Sequence, residues 1–435
     1  MVRWKMVAVL TFLLFLVSLA LAGTYYTNRI LPGVTVYNHS LSGLEVNEAR
    51  EVLSRLSREI EDRQFSLRLG KNMISTTFKD LGLTIDYEKT LDKAYAVGRK
   101  GDILERLHQF FSGTHELNFS WNLQQEKLKK ELQKLGRVYK KPINAQMELD
   151  SEGKPHIKPG QDGWQVDTNT LISNLKNDIN VKIIDVPLNR IKPKITTEEI
   201  KARKITKLTG KYTTFFNSAN KNRTHNIRLA ASALDGIWLK PGEVLSFNER
   251  VGPRSLETGY REAIVIENQR FVSGVGGGVC QLASTFYNAA LIAGLTIVER
   301  QPHGLAISYV PLGRDATVAY GLIDLKIRND NPYWYWIKTS IENNKLTVSF
   351  YSSEEAPYAE VISRIIEKVP PPEKIVWKPD WDPERVEIKS RGQNGYRTEV
   401  VRIIHKNNEE YKEFVSKDFY PPIPSTIFRG RKSNI

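Results

Sequence analysis

The chain has 435 residues, 40% of them hydrophobic, with 8 Trp and a formal net charge of +14. That length exceeds one ordinary domain, and the apolar and aromatic content excludes global disorder, so several packed cores are expected. A single cysteine, Cys280, excludes an internal disulfide and leaves one thiol unpaired.

The leader comes first. Arg3 and Lys5 precede an apolar run from Met6 to Ala22, the charge-then-apolar order of an export signal. A run of roughly 17 residues lies between a signal-peptide core and a bilayer span. Two outcomes stay open: a single-pass cell-membrane anchor with the bulk of the chain extracytoplasmic, or secretion after cleavage at Ala20-Leu21-Ala22. The membrane is thus an expected partner through residues 6–22. No cysteine follows the run, which excludes a lipoprotein anchor. For an exported chain the cationic excess points to anionic envelope polymers and lipid head groups. No basic motif is interleaved with aromatics, so nucleic acid is not expected as a partner.

Residues 1–34 are read as leader and stalk. Pro32 to Leu44 predicts strand and turn, and Val46, Ala49, Val52, Leu53, Leu56 and Ile60 predict a helix laying one apolar face on a small sheet. Alternation over Phe65–Gly70 and Leu81–Tyr87 predicts strands. These elements make an α+β module over 35–115. A second module, 116–195, has a helix carrying Leu123, Leu128, Leu132 and Leu135 and a strand-turn segment from Ala145 to Asp167. Gly82, Asp86 and Leu91 in the first module correspond to Gly163, Asp167 and Leu171 in the second, which reads as two copies of one unit. The segment ending in His156–Asp167 resembles the peptidoglycan-binding domains of exported Gram-positive proteins, and the resemblance implies peptidoglycan as a partner. A plain hairpin with a Gly-rich turn is the alternative. Lys192 to Thr206 reads as a linker or connecting helix.

Over 205–352 the composition changes. Gly274, Gly276, Gly277 and Gly278 form a loop able to take positive φ, and Cys280 directly after it opens an apolar helix through Leu282, Phe286, Ala289, Ala290 and Ile292. A thiol at a helix start is drawn toward the thiolate by free N–H groups and the macrodipole. Backbone N–H groups of the loop are candidate oxyanion donors. His303 is the candidate base and Asp315 the candidate orienter, with His225 and Asp324 as their competitors. Cys, then His, then Asp on following strands is the order of transglutaminase-like and papain-like cysteine enzymes, an analogy that points to acyl transfer. Gly276, Gly277, Gly278, Gln281 and Arg314 are the ligand-binding candidates; Arg314 either meets an anionic ligand or pairs with Asp315 or Glu299. A Cys packed for its bulk alone is the competing reading. No CxxC or HxxxH spacing and no phosphate-binding loop occur, so neither metal nor cofactor is expected.

Thr213–Ala231, Leu239–Ala263, Gly274–Gly321 and Asp324–Asn329 are similar, block after block, to the VanW family, and on these the chain is identified as a member. The family's name comes from glycopeptide-resistance gene clusters, which is an association and not a mechanism. Trp334 to Tyr351 alternates and turns at Asn343-Asn344, predicting a hairpin that closes this core.

The tail, 357–433, reads as all-β. Val369 to Glu384 is proline-rich and extended, and Gly392 to Lys432 predicts a hairpin turning at Asn407-Asn408. It resembles the five-glycine (G5) domain family through Gly392, Gly395 and Gly430. That resemblance implies contact with a wall polymer containing N-acetylglucosamine, against a rigid spacer as the alternative. The expected fold class is therefore α+β multidomain: a membrane helix, two small α+β modules, an α+β VanW core and a small all-β domain. The expected function is envelope binding of peptidoglycan or wall glycan through the accessory modules. The core is then either a scaffold or a cysteine acyltransferase or amidase acting on peptidoglycan peptides through Cys280, His303 and Asp315.

Overall fold

The computed structural model describes residues 24–267 and 270–430, together with positions 7, 10, 11, 13, 14 and 17 of the leader. The remainder of the predicted span at 6–22 lies outside the described residues. No helix among the described residues is long and apolar enough to cross a membrane. The fold is mixed α+β, and the chain divides into two compact units, Met1–Ile143 with Gln161–Pro193, and Asn144–Gly160 with Lys194–Ile435.

In the first unit, β1 (Val34–Val36) is followed by α1 (Val46–Glu61), which opens with a capping box between Glu45 and Glu48. The helix buries Ala49, Leu53, Leu56 and Ile60, the single stripe its periodicity predicts. The predicted strand at Phe65–Gly70 is β2 (Gln64–Leu69), which pairs antiparallel with an unpredicted β3 (Asn72–Thr77). The one predicted at Leu81–Tyr87 shortens to Leu83–Ile85 and pairs with Trp121–Leu123. The predicted boundary between residues 115 and 116 does not separate two cores. β1 pairs in parallel with β4 (His115–Leu117), and β2 pairs in parallel with β5 (Ile183–Asp185). One hydrophobic cluster accordingly runs from Ile30 to Val186. The physical reason is size: neither half has a sheet broad enough to cover its own helix, so each completes the other's. The repeat survives in its caps. Asp86 accepts the amide of Lys89, and Asp167 accepts that of Thr170, each at the start of a helix. A short helix, Ile103–Phe111, leaves Ile103, Leu104 and Phe111 exposed, with Phe110 edge-on to Tyr26 at 6.3 Å.

The predicted strand-turn segment 145–167 is shared out. Its hairpin, Gln146–Leu149 with Pro155–Lys158, lies in the second unit, while Gly163–Val166 pairs with Leu188–Ile191 in the first. The connecting segment contains a helix, Thr197–Ala202, with a Thr196/Glu199 capping box. Ile200 on that helix is buried against Ala145, Met147, Trp336 and Tyr351.

The second unit is built on a four-stranded sheet: β6 (Lys207–Phe215), then the last two strands of the core, β8 (Tyr335–Glu342) and β9 (Lys345–Ser352), then Trp238–Leu239, in the order β6-β9-β8-edge. The hairpin turns at Asn343, whose φ is +54°, as predicted. Between β6 and β8 come α2 (Lys221–Ser232), the ribbon strand β7 (Glu262–Glu267) and α3 (Val279–Ile292). α3 is buried continuously from Gln281 to Leu291, the mark of a helix inside a core. It lies on the sheet so closely that a Cβ added at Gly210 on β6 would sit 2.4 Å from the Ala289 carbonyl oxygen.

The tail is all-β. β10 (Tyr358–Val369), β11 (Gly395–Lys406) and β12 (Glu409–Tyr420) form one antiparallel sheet. Glu373–Lys378, Ser425–Gly430 and Val386–Ser390 form another. Asn407 and Asn408 have φ of +54° and +62°, the two-residue turn that the Asn-Asn pair predicts. The first tail sheet is integral to the unit. Buried Arg402 donates to the carbonyls of Leu295 at 2.7 Å and Leu291 at 3.3 Å at the end of α3, satisfying acceptors that a helix terminus leaves open.

Candidate catalytic site

Cys280 stands in the first turn of α3, behind an N-cap, Gly278, with φ of +109°. The glycine loop owes its composition to its own packing. A Cβ on Gly277 would lie 2.5 Å from the Ile264 carbonyl oxygen, and one on Gly278 would lie 2.9 Å from Ile227. Gly277 and Gly278 thus let β7 and α2 close on the helix start, and Gly276, with φ of +87°, packs on Arg254, so the packing accounts for all three glycines. Gln281 is corrected in the same way: it is 1% exposed and donates to Thr214 Oγ1 at 3.0 Å and the Phe215 carbonyl at 2.9 Å, so it ties α3 to β6 and faces no ligand.

One face of α3 is polar at four-residue intervals, and it meets the segment 314–318 in reverse order. Cys280 Sγ lies 3.6 Å from the Val318 carbonyl. Ser284 Oγ accepts the Ala316 amide at 2.9 Å. Asn288 Nδ2 donates to the Arg314 carbonyl at 2.6 Å, and Arg314 Nε donates to Asn288 Oδ1 at 2.5 Å. This ladder places Asp315 beside the helix. It also commits Arg314 to Asn288, with its guanidinium 5.0 Å over the Tyr212 ring, and not to Asp315, Glu299 or a ligand.

His303 and Asp315 lie on an irregular stretch and not on regular strands, with the chain pinned by a bridge between Gln301 and Thr317. Both are buried, at 4% and 1% exposure. Asp315 Oδ2 accepts the His303 amide and His303 Nδ1, each at 2.6 Å. Asp315 Oδ1 accepts Arg300 Nη2 at 3.2 Å and the Tyr420 hydroxyl. Arg300 also reaches Asp418 at 2.7 Å. Four donors around one carboxylate meet the demand that a buried charge be fully bonded. Burial pushes Asp315 up, but His303, Arg300 and Tyr420 together hold it below the usual carboxylate value.

With Nδ1 held by Asp315, the imidazole acts on the Cys280 thiol and the thiol on it. Burial alone would push the Cys280 thiol up; the hydrogen bond and charge of His303 outweigh it and leave the thiol below its ordinary value. Burial alone would lower His303; the bonds to Asp315 and Cys280 raise it to about 9. The two shifts favour a thiolate beside an imidazolium. Cys280 as a whole residue is half-buried.

The competitors are elsewhere. His225 bonds the Gly259 carbonyl at 2.9 Å, and Asp324 accepts Ser246 Oγ at 2.5 Å and the Asn248 amide at 2.9 Å. Among the described residues no group of His, Cys, Asp and Glu could hold a metal ion. Sequence reasoning missed Ser284, Asn288, Arg300, Asp418 and Tyr420. The first two repeat at four-residue steps from Cys280, a signal that was present; the tail residues carry no local signal at all.

The fold and the site define an α+β protein with a cysteine, histidine and aspartate gathered at the start of a core helix. The chain belongs to the VanW-like family: a family model described as "VanW like protein" matches residues 222–351. "Uncharacterized protein YoaR" of Bacillus subtilis (strain 168) is 37% identical over 237 residues, covering 54% of this chain and 75% of that protein. "Vancomycin B-type resistance protein VanW" of Enterococcus faecalis (strain ATCC 700802 / V583) is 31% identical over 140 residues, covering 31% of this chain and 51% of that protein. A second model, "Putative peptidoglycan binding domain", matches residues 74–183 and so crosses the predicted boundary at 115. Two solved structures, "IgA1 Protease G5 domain structure" and "Crystal structure of HP0197-G5", each match 18% of the chain. They are 30% and 13% identical, cover 98% and 100% of those chains, and have TM-scores of 0.14 and 0.13. Those scores are too low for the likeness to say more of the tail. The peptidoglycan-binding match and the family relatives make this a cell-wall-associated protein.

Proposed function

We propose that this chain is an exported cysteine acyltransferase or amidase acting on peptidoglycan peptides, held at the membrane by its leader. The observation that carries the reading is Asp315 holding His303 Nδ1 at 2.6 Å, with the imidazole acting on Cys280 at the start of α3 so that the thiol is lowered and the imidazole raised to about 9. In the reaction the Cys280 sulfur attacks an amide carbonyl and forms the C–S bond. The C–N bond breaks, and the leaving amine takes the proton from His303. Water or a second amine then attacks the thioester, giving its proton to His303 and releasing Cys280 as the thiolate. The Val279 and Gln281 amides are spent on the Gly276 and Gly278 carbonyls, which removes those two from the candidate oxyanion donors.

Binding to the wall rests on the family match over residues 74–183. Attachment to a membrane rests on the leader, whose described Val7, Leu10, Leu13, Leu14 and Val17 are exposed. The exposed apolar side of Ile103–Phe111 beside Tyr26 adds to it, because aromatic and apolar side chains next to an anchor favour the interface.

The test is turnover of wall peptide fragments by the full chain and by Cys280→Ala. Product from the wild type and none from the variant supports the reading. Equal turnover, or none from either, returns the core to a binding scaffold. Protease added to intact protoplasts tests the location: digestion supports export, and full protection opposes it.

A further inference from the structure

Arg254 carries a charge with no hydrogen-bond acceptor among the described residues. Both terminal nitrogens of its guanidinium are shielded from solvent and unbonded there. They are flanked by the rings of Phe247 at 5.7 Å and Tyr320 at 5.9 Å. The neighbouring carboxylate, Asp324, is committed to Ser246, Asn248 and the Leu325 amide. A buried cation without an acceptor is costly, and sites that bind planar anions are where such a group is tolerated, since two terminal N–H groups match a carboxylate.

Its place in the fold is specific. Arg254 packs on Gly276, whose added Cβ would lie 3.0 Å from the arginine Cβ, and that loop leads into Cys280. Cys280 contacts the Val318 carbonyl and Arg254 faces Tyr320, two positions further along the same segment. Tyr320 is 53% exposed and also lines an open cavity of about 360 Å³ bordered by Ser246, Leu322 and Asp324. Tyr320 thus borders both the guanidinium and this cavity.

We propose that Arg254 binds a carboxylate of the substrate, so that the site takes peptides with a free carboxylate close to the bond attacked by Cys280. The proposal rests on the reading of the site given above and names its substrate class.

The test separates binding from chemistry. Acetyl-alanyl-alanine, in L,L and D,D forms, and its C-terminal amide are titrated into the full-length Cys280→Ala protein by calorimetry, with and without Arg254→Gln. The free acid is expected to bind about ten- to a hundredfold more tightly than the amide, and Arg254→Gln to abolish that difference. In the presence of the thiol, the ratio of iodoacetate to iodoacetamide alkylation rates is expected to fall about tenfold in Arg254→Gln, with Arg254→Lys intermediate. Equal binding of acid and amide by protein with intact Arg254 overturns the proposal, whether or not Arg254→Gln folds. So does an alkylation ratio indifferent to the substitution, which is the result expected if Arg254 only tunes the thiol. Discrimination of acid from amide without any wall-peptide turnover would instead sink the acyl-transfer reading and leave a carboxylate-binding site.

Discussion

Tyr420 donates its hydroxyl to Asp315 and accepts the Gly313 amide at 2.8 Å, so a residue of the tail sheet holds the carboxylate that orients His303. Asp418, two residues earlier on the same strand, anchors Arg300, the other cation at Asp315. The tail's first sheet is therefore part of the site's support, and the tail is more than a trailing module.

Tyr420→Phe removes one donor from Asp315 and leaves the Gly313 amide without its acceptor. Urea unfolding is expected to show a loss of about 1–3 kcal/mol. The pH profile of Cys280 alkylation is expected to move upward, because Asp315 loses part of what keeps it ionised. An unchanged profile would restrict Tyr420 to a packing role.

Asp315→Asn keeps the shape of the orienting residue and removes its charge. Wall-peptide turnover is expected to drop about 10²- to 10⁴-fold. Iodoacetamide should then react with Cys280 only nearer the ordinary thiol range. Retention of full turnover would remove Asp315 from the mechanism.

The pH dependence of stability has a worked sign. His303 is raised to about 9, so its contribution is complete below the unfolded value near 6.5 and is lost as pH rises through about 9. Cys280 is lowered, so its contribution is complete above the unfolded value of about 8.5 and is lost as pH falls through the folded value. Between about pH 6.5 and 8.5 the two oppose each other: the His303 contribution falls as pH rises and the Cys280 contribution offsets that fall. Cys280→Ala is expected to uncover a decline across that window, read from urea midpoints at each pH. A level curve in the variant would mean that the pair is not charged.

Gly277→Ala adds a methyl 2.5 Å from the Ile264 carbonyl oxygen. Backbone cannot yield as a side-chain tip does, so the change is expected to cost about 1–3 kcal/mol. Slower alkylation of Cys280 should accompany it as the helix start shifts. A stable, fully reactive variant would show the loop to be looser than drawn.

What the sequence determined by itself was local. The stripe on α1, the caps at Asp86 and Asp167, the turns at Asn343 and Asn407-Asn408 and the start of α3 behind a glycine loop all depend on a few neighbouring residues, and local rules of periodicity, capping and φ decide them. Cys280, His303 and Asp315 were legible because their residue types are scarce and follow one another within a single stretch. Tertiary structure alone decided that the two predicted modules share one core, except for the hairpin at 146–158, which belongs to the other unit, and that Gln281 and Arg314 bond within their own protein. It alone brought Tyr420 to Asp315 and Asp418 to Arg300, and left Arg254 without an acceptor among the described residues. The physical reason is that buried charge is satisfied by whatever the folded chain brings near it. That pairing, across more than a hundred residues in the case of Tyr420 and Asp315, leaves no pattern in the neighbours of either residue.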